Sequence, residues 1–92
     1  MITIELPRAL VLRLNEVHSV VLDQHCATVG EALTELGSRA PGVLDRIVDE
    51  QGAVRQNVNV FLNETSIREL KGLETSVPEG STIYLLASVS GG

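Results

Sequence analysis

The residues with the most chemical promise stand at the end of the chain. Ala87-Ser88-Val89-Ser90-Gly91-Gly92 has only small side chains and no charge. Glycine lacks a Cβ, so a backbone ending in two of them can enter a channel that a larger residue would block. The α-carboxylate has a reference pKa of about 3.3–3.7 and, as an anion, is a poor electrophile. Converted with ATP to an acyl adenylate, it becomes open to attack by a sulfur nucleophile. The tail is then a substrate arm, and the catalytic groups sit on another protein. Six residues fully stretched reach roughly 20 Å, which sets the depth such an arm can explore. The competing expectation is a frayed terminus with no role.

Other reactive side chains form no comparable constellation. Cys26 beside His25 lacks the ligand count and spacing of a zinc site and reads as a small apolar filler at a strand–helix junction. No metal site is expected. His18 and His25 read as surface or edge residues. No Ser-His-Asp order and no glycine-rich phosphate loop is present. Asp49-Glu50 reads as solvated charge in a turn, and Lys71, the only lysine, as a solvated loop residue.

Composition narrows the function further. The 92 residues carry 7 basic and 12 acidic side chains, a net charge of −5, with the basic ones scattered from Arg8 to Lys71. Nucleic-acid binding calls for a clustered basic face and often stacking aromatics, and this chain has one Phe, one Tyr and no Trp. An acidic surface suits a basic protein partner instead. A single cysteine permits no internal disulfide, and the longest apolar run, Ile83 to Ala87, falls far short of the roughly 20 residues a membrane span needs. The N-terminus has no signal-peptide pattern, so a soluble cytoplasmic protein is expected.

The elements that must position the tail can be read from hydrophobic period. Ile2, Ile4 and Leu6 alternate with Thr3 and Glu5, a half-buried strand closed by Pro7. A second strand is expected at about 17–22, with 8–16 an extension of it or a loop. Thr28-Val29-Gly30-Glu31 is a capping box in which Thr28 receives the Glu31 N–H and Glu31 reaches back to the Thr28 N–H. Val29, Ala32, Leu33, Leu36 and Ala40 then fall on one helical stripe, and Pro41 stops the helix by about residue 40. Val43, Leu44, Ile47 and Val48 suit a short second helix or a 3₁₀ turn. Asn57 to Asn63 alternates as a third strand, with Val58, Val60 and Leu62 on one face. Thr65 to Ser76 predicts a short strand and an irregular turn. Val77-Pro78-Glu79-Gly80 has a type I turn signature, and Ile83 to Leu86 forms the last strand. One helix covering the apolar face of a sheet of four or five strands buries both stripes.

Taken together these features resemble the ubiquitin-like sulfur-carrier family of the MoaD/ThiS type. The resemblance rests on Ile2–Leu6, the helix opening Thr28-Val29-Gly30-Glu31-Ala32-Leu33, the strand Asn59-Val60-Phe61-Leu62-Asn63-Glu64, the turn Pro78-Glu79-Gly80-Ser81 and the final Gly91-Gly92. It implies an α+β fold of the β-grasp (ubiquitin-like) class, a mixed four- to five-stranded sheet packed on one main helix. Residues 1–86 would form the domain, and 87–92 a flexible C-terminal tail. It implies that an E1-like enzyme, using ATP, adenylates Gly92, which then carries sulfur as a thiocarboxylate. Gly91, Ser90 and Val89 would enter the partner's site. The sulfur would pass to a biosynthetic enzyme of a cysteine, secondary-metabolite or molybdopterin pathway, and the chain's length is nearest the first two. The chain would not be an enzyme itself, though it could be the small subunit of a sulfur-transfer complex. No bound cofactor is expected. A β-grasp sheet leaves one face open, which makes Phe61, opposite in direction to Val60, the candidate docking residue; ordinary core packing is the alternative. Two further readings stay open: a protein modifier joined to lysines through Gly92, and a plain interaction domain.

Overall fold

The computed structural model describes residues 1–6, 19–40 and 42–87. Strand β1 (Ile2–Glu5) pairs antiparallel with β2 (Ser19–Leu22) on one side and parallel with β5 (Thr82–Ala87) on the other. Strand β3 (Val58–Leu62) pairs antiparallel with β5 and with the two-residue β4 (Thr65–Ser66). The sheet therefore runs β2-β1-β5-β3-β4, with the last strand of the chain at its centre. Helix α1 (Val29–Arg39) covers one face, joined by the short α2 (Leu44–Ile47) and by 3₁₀ turns at Ile67–Glu69 and Gly72–Glu74.

The period-two residues sort as the sequence requires. Ile2, Ile4, Leu22, Val58, Val60, Ile83 and Leu85 are buried with Val29, Ala32, Leu33 and Leu36 of α1 in one aliphatic cluster. Fully burying such a side chain contributes about 1.5–3 kcal/mol each, so the single helical stripe is what closes the core. The helix expected from the capping box forms, and its box closes one residue earlier than expected. Thr28 Oγ1 receives the Glu31 N–H at 3.2 Å, but the Glu31 carboxylate accepts from the Ala27 N–H, also at 3.2 Å. The helix ends at Arg39, and the capping residue Ala40 still donates its N–H to the Leu36 carbonyl at 2.8 Å.

Other details go beyond or depart from the sequence expectation. The turn before β5 closes from the Ser81 N–H to the Pro78 carbonyl at 3.1 Å, with Gly80 at φ +83° in its third place. It thus lies one residue later than Val77–Gly80, and the positive φ is the type II requirement, not a type I turn. Strand β5 extends through Ala87, which pairs with Val58, one residue past the expected strand end at Leu86. Asp49 is more than solvated charge: its Oδ1 accepts the N–H groups of Gln51 and Ala53 at 2.8 and 3.0 Å and shapes the 49–53 turn. The hairpin between β3 and β4 turns on Asn63 at φ +55°, and Asn63 Oδ1 also receives the Thr82 N–H at 3.0 Å, locking that hairpin to the start of β5. Of the strand expected at about 17–22, Ser19–Leu22 form β2; the expectations for 7–18, including His18, and for Pro41 lie outside the described residues.

Candidate functional site

Two features converge on β5. The first is the strand's direction. Ala87 is its last residue, beyond the end of β1 and paired with Val58 of β3, so whatever follows Ala87 leaves from the end of the central strand. Five residues beyond Ala87 reach at most roughly 17 Å from the sheet's end. Ser88, Val89, Ser90, Gly91 and Gly92 themselves lie outside the described residues.

The second is the sheet face turned away from α1. Because Ile83 and Leu85 point into the core, Tyr84 and Leu86 point out, 42% and 50% exposed. Phe61 of β3 stands directly opposite Tyr84 in register, and Asn59 opposite Leu86. The chain's two aromatic residues are thus a cross-strand pair on the same open face. Opposed side chains in such a pair have Cβ atoms about 4.5–5.5 Å apart, close enough to form one contiguous apolar surface. Val21, at the far side of β1, adds another exposed apolar side chain. An apolar patch left uncovered on a small domain marks an interaction surface more often than chance exposure does.

Phe61, singled out from the sequence, is half-buried on this open face and not in the helix-side core. Tyr84 and Leu86 were missed there. Their signal was present: in a strand whose inward set is Ile83 and Leu85, a tyrosine and a leucine in the outward places are apolar where polar residues belong. The patch is bounded by hydrogen-bonded polar groups. Ser19 Oγ donates to Glu5 Oε1 at 2.7 Å beside Tyr84 on β1 and β2. Arg68 spans the free edge of β3, donating to Asn59 Oδ1 at 3.0 Å and to the Val58 carbonyl at 3.1 Å. These contacts fix β3 where β4 is too short to pair with it.

The remaining reactive side chains do not gather. Cys26 is buried, and burial foremost, then the Glu31 and Glu35 carboxylates, push its thiol pKa up against a smaller lowering by Arg39. A thiol so placed stays protonated and is a poor nucleophile. His25 and Lys71 are exposed, and the Lys71 N–H is held by Thr75 Oγ1 at 3.0 Å. Among the described residues no group of three or more His, Cys, Asp or Glu could hold a metal, and no helix is long and apolar enough to cross a membrane.

Comparison with known proteins places this arrangement. Residues 9–92 match the family model of the ThiS family. The sulfur carrier protein CysO of Mycobacterium tuberculosis is 28% identical over 67 residues, covering 71% of this chain and 72% of that protein. Small archaeal modifier protein 3 of Haloferax volcanii is 33% identical over 66 residues, 72% of this chain and 71% of that protein. Among solved structures, a chain of the Amycolatopsis orientalis BexX/CysO complex superposes with a TM-score of 0.88 at 32% identity, covering both chains completely. The fold is the β-grasp, ubiquitin-like one that the sequence implied.

Proposed function

The chain belongs to the ThiS family, and from that premise we propose that it is a sulfur carrier working through its terminal glycine. The observation that carries this reading is that the family match runs through residue 92 and so includes Gly91-Gly92. An adenylating, E1-like partner grips the open face at Phe61, Tyr84 and Leu86. Held there, the segment Val89, Ser90 and Gly91 delivers the Gly92 carboxylate to ATP in the partner's site. One carboxylate oxygen attacks the α-phosphorus and pyrophosphate leaves. Hydrosulfide then attacks the acyl carbon, AMP leaves, and loss of the proton on sulfur gives the Gly92 thiocarboxylate. That sulfur attacks an electrophilic carbon held by a biosynthetic enzyme, and hydrolysis of the resulting thioester restores the carboxylate.

The folded body supplies position and no catalytic group, so the chain acts as a co-substrate. Complementary roles are consistent with its relatives: CysO is named a sulfur carrier, and one solved relative is described in complex with BexX. A second reading, conjugation of Gly92 to lysines of other proteins, is favoured by the archaeal relative named a modifier. Both share the adenylate and differ in the nucleophile that consumes it. Intact-mass measurement after incubation with the adenylating partner, ATP and a sulfur donor separates them. Exchange of one oxygen for sulfur at Gly92 is expected. Covalent ladders on target proteins without that exchange would establish the modifier, and no ATP-dependent change would defeat both.

A further inference from the structure

Among the described residues the outer strands of the sheet are β2 and β4, and an outer strand presents main-chain N–H and C=O groups to any chain that can pair with them. On β2 the register identifies those groups. Thr3 donates its N–H to the Ser81 carbonyl at 3.1 Å, so the main-chain groups of Thr3 face β5. Its antiparallel partner Val21 therefore sits in a non-hydrogen-bonded pair, and the Val21 N–H and C=O point away from β1, to the rim. That outward carbonyl is occupied by Arg39, the last residue of α1, whose Nη1 donates to it at 3.2 Å. Two more bonds brace Arg39 there, Nε to Glu35 Oε1 and Nη2 to Gln24 Oε1, both at 3.2 Å.

The opposite rim repeats the device. The Asn63 N–H donates to the Thr82 carbonyl at 2.8 Å, so by alternation Phe61 and Asn59 face β5, and Leu62, Val60 and Val58 turn their main-chain groups outward. Strand β4 pairs only with Phe61 and Leu62. Beyond it the outward Val58 carbonyl receives Arg68 Nη2 at 3.1 Å, and Arg68 is braced by Asn59 Oδ1 at 3.0 Å and the Arg55 carbonyl at 3.3 Å. We propose that Arg39 and Arg68 guard the two rims against a second copy of this chain. A copy adding its own outer strand would need these carbonyls as acceptors, and would bury a guanidinium beneath itself without a new counter-charge. Guarding both rims has a distinct value. A β2-to-β2 contact stops at a dimer, whereas a β2-to-β3 contact is head-to-tail and grows without closing. A copy seated on β3 would also lie alongside Asn59, the cross-strand neighbour of Leu86, and crowd the open face. The inference stands whether or not Gly92 carries sulfur.

The test compares the full chain with the double variant Arg39→Met, Arg68→Met, which keeps the aliphatic stems and removes charge and donors, and with Arg39→Lys, Arg68→Lys, which restores a cation at each rim. Sedimentation velocity from micromolar to millimolar should show the parent and the lysine pair as monomers, and the methionine pair as dimers and larger species at the high end. Amide exchange supplies a readout that loss of stability would not mimic. The outward Val21 N–H should exchange roughly tenfold more slowly in the concentrated methionine pair than in the dilute one, with Leu33 and Leu36 of α1 unchanged. Arg39→Met alone, exposed at the end of α1, tests the β2 rim independently of whether the double variant folds, and should stop at a dimer. The proposal is overturned if neither methionine variant associates at millimolar concentration, if association leaves Val21 unprotected, or if the lysine pair associates as strongly.

Discussion

Leu86 offers the most direct test of the docking face. It is 50% exposed and next to the last residue of the central strand. Complete burial of a leucine side chain is worth about 1.5–3 kcal/mol, so the uncovered half is worth roughly 0.8–1.5 kcal/mol if a partner closes over it. That corresponds to about four- to twelvefold in affinity. Truncation in Leu86→Ala removes most of it, and roughly three- to tenfold weaker engagement is expected. The assay is ATP–pyrophosphate exchange by the proposed adenylating partner across a range of concentrations of this chain. Because the contact is the same before and after adenylation, KM should rise by that factor while kcat stays level. Thermal unfolding should stay within about 4 °C of the parent, since outward-facing substitutions cost little stability. Tyr84→Ala should act in the same direction, and Gln51→Ala, in the 49–53 turn away from this face, should change nothing. An unaltered KM in both Leu86→Ala and Tyr84→Ala would refute the assignment of this face as the grip.

Two predictions concern the fold that carries the face. At Gly37 a Cβ would lie 2.8 Å from Leu44 Cβ, a backbone-proximal atom that cannot swing aside. Overpacking of about 1–3 kcal/mol then outweighs the gain of about 1 kcal/mol from better helix propensity. Gly37→Ala should therefore lower the calorimetric midpoint by several degrees, and a rise would contradict the α1–α2 packing. For Cys26, the folded thiol titrates above its ordinary value of 9.0 because of burial and then the Glu31 and Glu35 charges. Below that ordinary value the thiol is protonated in both folded and unfolded chains and pH has no effect through it. Above it the unfolded chain loses the proton first, so stability falls as pH rises until the folded thiol ionises too. Chemical denaturation from pH 7 to 10 should show this decline, and Cys26→Ala should flatten it.

The layout of strands and helix was legible because a one-sided core imposes simple periods. Ile2 and Ile4, the α1 stripe, Val58, Val60 and Leu62, and Ile83 and Leu85 all face the core as their spacing requires. What escaped was set by contacts distant in sequence. The reach of β5 to Ala87 depends on its partner Val58 across the sheet, and the shift of the 78–81 turn accompanies the Gly80 N–H binding the Met1 carbonyl at 2.9 Å. Neither contact leaves a mark in the local sequence. The proposed docking face was half legible: Phe61, Tyr84 and Leu86 are outward by alternation within their own strands, but only the β3–β5 register brings Phe61 and Tyr84 side by side. The recess along α1 lined by Leu33, Leu44, Val48 and Leu73 was not legible at all, because the last three come beside the helix only in three dimensions.

The central place of β5 also governs the order in which the molecule can be assembled. The β1–β2 hairpin and the β3–β4 hairpin do not pair with each other; only β5 joins them. During synthesis, the two hairpins emerge from the ribosome as separate half-sheets, each showing an oily side, until residues 82–87 are free to slide between them. Such a late, long-range closure is slow compared with local folding. A nascent or prematurely ended chain lacking that strand therefore leaves both half-sheets with an unpaired inner edge, open to pairing with other chains.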